Sequence, residues 1–235
     1  MIEQLLNRAR AAGIPLTREQ AEKFELYHRM LTEANARFNL TRVPDDEAEA
    51  IDRNYLDCLA PLKYGMDGVN RAIDVGSGAG FPGVPLAICM PETRFVFLDS
   101  LGKRVDFLND VAEKLDLNAG AVHARAEDGA RRPELREAFD LATARAVAPL
   151  NLLAEYLLPF VRVGGAMLAY KGPTLEEELS EAANALSILG GRFARAGRAE
   201  IPGRDWDHRL CWIEKVESTP EKYPRKAGKP EKKPL

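Results

Sequence analysis

The residues of this chain best placed to do chemistry cluster behind one short apolar run. The stretch AIDVGSGAGFPGVPLA, residues 72–87, has Asp74 at its entrance and glycines at 76, 78, 80 and 83. A glycine loop directly after a strand lets backbone N–H groups approach a ligand closely at the start of the next helix. The pattern itself is ambiguous. Gly78, Gly80 and Gly83 satisfy the G-x-G-x-x-G of dinucleotide sites. Asp74, Gly76, Gly78 and Gly80 satisfy the acid-x-G-x-G-x-G loop of S-adenosylmethionine sites. Electrostatics separates the two. A pyrophosphate would be opposed by Asp74, whereas a ligand carrying an ammonium and a sulfonium would be favoured by it. Pro82 removes a donor that a pyrophosphate could use.

Further candidates end the following strands. Asp99, closing RFVFLD, can accept hydrogen bonds from both hydroxyls of a ribose. A helix N-cap, in competition with Ser100, is the plain alternative for it. After the third strand, backbone near Ala126 can meet an adenine edge and Glu127 follows it; a solvated loop acid is the alternative for Glu127. The fourth strand ends at Arg145, a fork of donors suited to a phosphate or a base edge.

These positions require a scaffold of alternating strands and helices. Strands are expected at 71–75, 94–99, 121–126, 140–146, 165–171 and 209–216, with helical periodicity at 83–90, 101–116, 150–163 and 174–189. That alternation predicts an α/β fold with a doubly wound, mostly parallel sheet, whose ligands sit beyond the C-terminal strand ends. The first 66 residues read as helices. Ile2, Leu5, Leu6 and Ala9 recur at helical spacing, and Gly13 and Pro15 break the run. Thr17 and Gln20 fit a capping box, and Phe24, Tyr27, Leu31, Ala34 and Phe38 trace one stripe. A third helix is expected from Asp45, through Ile51, to Leu59, closed by Pro61 and Gly65. The expected organisation is a helical extension at 1–66 packed on the core, a sheet domain at 67–217 and a flexible basic tail at 218–235.

Bulk properties bound the class. A chain of 235 residues, 46% hydrophobic and 29% charged, matches an ordinary globular protein. No apolar run approaches the ~18–20 residues of a membrane span. The first residues mix charges with apolar positions, unlike a signal peptide, and a cytoplasmic location is expected. Cys58, Cys89 and Cys211 are isolated and read as structural thiols, with no metal site. The net charge of −3 does not announce a nucleic-acid binder, but residues 222–235, KYPRKAGKPEKKPL, hold six Lys or Arg against one Glu. Such a segment is expected either to solubilise the terminus or to seek phosphates.

At this point the motifs resemble a known family. DVGSGAGFPGVPLAI, FVFLDSLGKRVDFLNDV, RAEDGA, TARAVAPL and AYKGP come in the order and spacing of the bacterial small-subunit ribosomal RNA guanine-N7 methyltransferases, also called the glucose-inhibited division protein B family. FNLTRV, YLDCLAPL and the basic terminus are similar to it too, so the resemblance covers nearly the whole chain. It implies a Rossmann-like S-adenosylmethionine-dependent methyltransferase sheet and methyl transfer to N7 of one guanine in 16S rRNA. The implied substrate is a 30S subunit or an assembly intermediate, and a monomer is expected. The implied cofactor residues are Gly76, Phe81, Ala126, Glu127 and Arg145, which join Asp74, Gly78, Asp99 and Ser100 from the residue reading. The chain departs from the family at Asn54, where the family has His, and at Cys58, where it has Ser. An amide hydrogen-bonds but does not titrate near neutrality.

The chemistry fits independently. Guanine N7 has an exposed lone pair and no proton, so positioning and desolvation must supply the rate without a general base. The chain lacks the N-P-P-Y/F motif of amine methylation and a Pro-Cys nucleophile at the fourth strand end. Arg145 is expected to hold phosphate, guanine O6 or the cofactor edge, and Asn39 in FNLT to read a base edge or cap a helix. Lys103, Arg104, Arg125, Lys171, Arg225 and Lys226 are the expected RNA contacts. The alternatives are a small-molecule methyltransferase on the same sheet, a nonenzymatic assembly factor retaining the fold, and an NAD-dependent oxidoreductase, the last disfavoured by Asp74.

Overall fold

A computed structural model describes residues 1–38, 40–41, 43–44, 46–145 and 148–235, with Phe38 described by its backbone alone. The elements open with α1 (Ile2–Ala11) and α2 (Arg18–Phe38). The capping box forms: Thr17 N–H donates to Gln20 Oε1 at 2.9 Å, and Gln20 N–H to Thr17 Oγ1 at 3.1 Å. A continuous helical stretch follows, made of α3 (Glu47–Ala50), a π-helical turn (Ile51–Leu56), α4 (Asp57–Leu59) and a 3-10 turn (Ala60–Tyr64). Its N-cap is Asp46, whose Oδ1 accepts from Glu49 N–H; the expected start at Asp45 lies outside the described residues, as does the expected strand end at Ala146. Pro61 sits inside the 3-10 turn, and Gly65, at φ 79°, ends it.

The alternating part runs β1 (Arg71–Val75), α5 (Gly83–Cys89), β2 (Arg94–Asp99), α6 (Gly102–Lys114), β3 (Ala119–His123), α7 (Ala126–Gly129), β4 (Phe139–Arg145) and α8 (Leu150–Leu157). It continues with β5 (Val161–Lys171), α9 (Leu175–Leu189), β6 (Gly191–Arg198), β7 (Arg209–Lys215) and α10 (Lys229–Lys232). Among the described residues the strands form one seven-stranded sheet in the order β3-β2-β1-β4-β5-β7-β6. Strands β1 to β5 are parallel, and β7 pairs antiparallel with both β5 and β6. The order reverses between β1 and β4, which places a ligand crevice beyond Val75 and Arg145.

Successive strand residues feed opposite faces. Ala72, Leu141, Leu168, Tyr170, Leu210 and Trp212 join the core shared with α1, α2 and the helical stretch. Ile73, Ala142, Met167, Ala169, Cys211 and Ile213 join the core under α8 and α9. The N-terminal helices therefore share a core with the sheet. Tyr27 fixes them to the glycine loop, its hydroxyl donating to the Ala79 carbonyl at 2.7 Å. Loop 199–208 is tied down by Asp52, fully buried, which pairs with Arg8 and with Arg204 at 2.7 Å.

The glycine loop tolerates little added bulk. A Cβ on Gly83 would stand 2.7 Å from Asp74 Oδ2 and 2.8 Å from Phe97 Cε1, both in fully buried residues. Gly83→Ala is expected to destabilise the fold by about 1–3 kcal/mol. A lowered urea midpoint at unchanged slope checks this, and an unshifted midpoint contradicts it.

Four expectations need correction. The third strand, expected at 121–126, is β3 (Ala119–His123), and Ala126 opens α7 instead. Residues 161–163 belong to β5 rather than to the helix expected over 150–163, which gives way to a 3-10 turn at Leu158–Phe160. Strand β6 was not anticipated: its residues are largely exposed, so an edge strand rich in Arg shows no apolar alternation. The segment 218–235, expected to be flexible, is docked. Tyr223, Pro224 and Pro230 are buried. Arg136 reaches the carbonyls of Thr219 and Tyr223, at 2.8 and 3.0 Å. Thr219 N–H donates to Glu137, and the fully buried Lys215 donates to Thr219 Oγ1 at 2.6 Å. Composition hid this, because the lysines Lys222, Lys226, Lys229, Lys232 and Lys233 face outward while few apolar residues hold the segment down.

Candidate active site

Beyond the C-terminal ends of β1, β2 and β4 lies a cavity of about 330 Å³. Its wall includes Gly76, Asp99, Ser100, Ala126, Glu127 and Arg145 of the expected cofactor set, together with Arg104, Arg125, Tyr156 and Glu231. Asp99 is held from two sides. Gly78 N–H donates to its Oδ2 at 2.8 Å and Leu101 N–H to its Oδ1 at 2.9 Å, with Arg104 3.5 Å from Oδ2. Each carboxylate oxygen has a second lone pair, so a diol in the cavity can still be bound. Glu127 is buried, not a solvated loop acid, and its Oε1 accepts from Gly228 N–H at 3.3 Å.

Gly78, Asp74 and Phe81 are not brought to this wall. Gly78, at φ 61°, shapes the loop through Asp99. The Phe81 ring lies beneath Arg145, whose guanidinium carbon stands 5.0 Å from the ring centroid. Asp74 turns inward: its Oδ2 accepts from Gly83 N–H at 3.1 Å, and its Oδ1 is buried with no donor among the described residues. Burial pushes its carboxyl up to about 7, against the pull of Ser77, Gly83 N–H and the Arg145 charge. The strand-end Asp99 on the wall fits a cofactor that brings a ribose, and the Asp74 carboxylate behind the loop suits one that brings a positive charge.

Arg145 is fixed on several sides. It donates to the Arg53 carbonyl at 2.8 Å and to Asp57 Oδ2 at 3.2 Å. It also lines a second cavity, of about 460 Å³, with Arg53, Asn54, Asp57, Tyr170 and His208. His208 was not singled out by the sequence. Asp57 Oδ1 holds its Nδ1 at 2.8 Å, and its ring stacks on Trp206 with centroids 5.3 Å apart. The WDH run in loop 199–208 was the available signal. Asn39, the other expected catalytic residue, lies outside the described residues.

The expected RNA contacts divide. Lys103, Arg125 and Lys226 are exposed. Lys171 and Arg225 are held by carboxylates of the fold. Lys171 Nζ pairs with Glu178 at 2.5 Å and donates to the Ala148 carbonyl, so its charge is engaged inside the fold. Arg225 grips Glu155, a carboxylate 1% exposed, with Nη2 at 2.6 Å and Nε at 2.9 Å, and thereby anchors the C-terminal segment. Cys58 and Cys211 are buried, and burial pushes all three thiols up to about 12, as befits structural cysteines. Among the described residues no helix is long and apolar enough to cross a membrane.

Comparison with known proteins agrees with this geometry. A family model described as rRNA small subunit methyltransferase G (GidB) matches residues 20–198. The Ribosomal RNA small subunit methyltransferase G of Clostridium perfringens (strain 13 / Type A) is 45% identical over 229 residues, covering 96% of this chain and 95% of its own. That of Brevibacillus brevis is 43% identical over 235 residues, covering 99% and 98%. Among solved structures, an O-methyltransferase from Bacillus cereus in complex with SAH is similar with TM-score 0.58 at 16% identity, over 92% of this chain and 100% of that one. The cyclase SpnF is similar with TM-score 0.55 at 15% identity, over 83% and 95%. Likeness at such identities is one of fold, and a cyclase within it shows that the fold alone does not name the reaction. The family match does: the chain belongs to the rRNA small subunit methyltransferase G family of S-adenosylmethionine-dependent enzymes.

Proposed function

We propose that this protein transfers a methyl group from S-adenosylmethionine to N7 of one guanine of 16S rRNA, acting in the cytoplasm as a monomer on a 30S subunit or an assembly intermediate. The observation that carries the reading is that Arg145 lines both cavities, the nucleoside-type one at Asp99 and Glu127 and the second at Asn54 and Asp57.

When bound, the cofactor supplies an electrophilic methyl on a sulfonium. The chain's own residues bind, orient and exclude water. Asp99 would accept the ribose hydroxyls, backbone at Ala126 and the Glu127 side chain would meet the adenine, and the buried Asp74 carboxylate would favour the cofactor's positive charge from behind the glycine loop. Arg145, pinned by Asp57 and the Arg53 carbonyl, stands where cofactor and base meet. N7 has no proton to surrender, so the reaction rests on alignment. Exposed Lys103, Arg125 and Lys226 are placed to meet phosphates, a term that weakens with salt.

The test is tritium transfer to 30S subunits lacking their native modifications, followed by nucleoside analysis. 7-Methylguanosine at a single position is expected. An exocyclic methylamine product would overturn the N7 reading and enlist the His208–Asp57 pair as a base. Incorporation into a metabolite pool instead of the subunit would favour a small-molecule substrate.

Asp74 adds a pH signature. A carboxyl near 7 in the free protein, raised from 3.8, contributes stability in full below about 3.8, and that contribution is lost as pH rises through about 7. The positive charge of the bound cofactor favours the ionised form through space, so cofactor affinity is expected to rise with pH up to about 7 and then level off. Below that value it should fall by up to about tenfold per pH unit. Calorimetry between pH 5.5 and 8.5 checks this, with Asp74→Asn expected to flatten the profile. An equally steep profile in the variant would contradict the assignment.

A further inference from the structure

We propose that Asn54 reads O6 of the target purine, its side-chain amide donating to that oxygen while the adjacent N7 faces the cofactor cavity. The inference deepens the proposed function and rests on its guanine-N7 reading.

Asn54 lies in the π-helical turn Ile51–Leu56 and is 3% exposed. π-Helical turns recur at functional sites, because the widened turn re-aims side chains. The amide nitrogen, Nδ2, is buried and has no hydrogen-bond partner among the described residues. A buried donor left unmade costs free energy and calls for an explanation. Asn54 lines the second cavity beside Arg145 and takes no part in the wall of the first.

The carboxylates around that second cavity have internal donors of their own. The Asp57 oxygens are taken by Arg145 and His208. Glu178 Oε2 is taken by Lys171 and by Leu150 N–H. The Tyr170 hydroxyl donates to the Cys58 carbonyl at 2.6 Å. Asn54 Nδ2 is thus a buried donor without a partner among the described residues, on a residue that lines this cavity, and its complement is an acceptor. Guanine shows two adjacent acceptors on the relevant edge, N7 and O6, whereas adenine shows N7 and an amino donor. With N7 aligned for attack, O6 meets the Asn54 donor. Adenine would set two donors against each other and leave both unpaired.

The test pairs a change in the enzyme with a change in the base. 30S subunits are reconstituted with 16S rRNA carrying, at the target position, guanosine, inosine, 2-aminopurine ribonucleoside or 7-deazaguanosine. Inosine keeps O6 and N7, 2-aminopurine lacks O6, and 7-deazaguanosine lacks N7. Wild-type enzyme is expected to methylate guanosine and inosine alike and to lose about 10–100-fold in kcat/KM on 2-aminopurine. Asn54→Leu, which is close in size and has neither donor nor acceptor, is expected to lose a similar factor on guanosine and little more on 2-aminopurine. Such non-additivity marks direct contact. Asn54→His, which restores a planar N–H donor, is expected to recover most of the loss, and the affinity for S-adenosylmethionine should be unchanged in both variants.

Equal wild-type rates on guanosine and 2-aminopurine would overturn the assignment whatever the variants do. Fully multiplicative losses would overturn it too, since a merely structural asparagine would produce them. Methylation of the 7-deazaguanosine substrate would instead overturn the N7 reading, a separate outcome.

Discussion

A protein ending at residue 221 is expected to bind S-adenosylmethionine about tenfold more weakly and to unfold roughly 10 °C earlier than the full chain. Composition suggests the opposite for the cofactor: a loose cationic arm could be cut away without touching that site. The docked segment changes the expectation. Its removal leaves Glu155, 1% exposed, without Arg225, and an unpartnered buried carboxylate costs about 3–5 kcal/mol. It also removes two direct supports of the cofactor cavity. Gly228 N–H no longer holds Glu127, and Glu231, which accepts from the Tyr156 hydroxyl at 3.2 Å, no longer closes the wall. Thermal unfolding and calorimetry on the truncated protein check both effects. The outward lysines go with the segment, so RNA affinity should also lose part of its salt dependence. Cofactor affinity and thermal midpoint equal to those of the full chain would show that the segment only decorates the surface.

Arg145→Ala is expected to lower kcat/KM for methyl transfer by about 10²–10³-fold, because a fixed donor at the reacting centre cannot be replaced by water of equal alignment. The loss should fall mainly on kcat, with RNA affinity little changed, since Arg145 is one cation among many. Arg145→Lys should recover little. A single ammonium cannot hold Asp57, the Arg53 carbonyl and a position over Phe81 at once. Single-turnover rates at saturating subunit and cofactor separate the chemical step from binding. A variant within a few-fold of wild type would remove Arg145 from the mechanism.

The sequence made the scaffold legible wherever periodicity was strong. Strand β1 and strand β2 begin and end as expected, because apolar runs bounded by charges and glycines leave little freedom. Strand β6 was illegible for the converse reason: its pairing with β7 rests on backbone hydrogen bonds, and its exposed arginines carry no alternation. The site shows the same division. Gly76, Asp99 and Glu127 could be read because strand ends in doubly wound sheets converge. Asp57 and His208 meet across 151 positions of sequence, a long-range pairing that no local pattern announces. The partners of Lys171 and Arg225 were not legible, because a cation in a sequence carries no sign of its partner. Glu178 and Glu155 reveal that both side chains brace the fold.

The most direct measurement is a crystal structure of the protein with S-adenosylhomocysteine. The account predicts the nucleoside beyond β1 and β2, its ribose hydroxyls on Asp99, its adenine beside Ala126 and Glu127, and its sulfur directed toward Arg145 and the second cavity. A ligand seated elsewhere, or one whose sulfur points away from the cavity of Asn54 and Asp57, would contradict it.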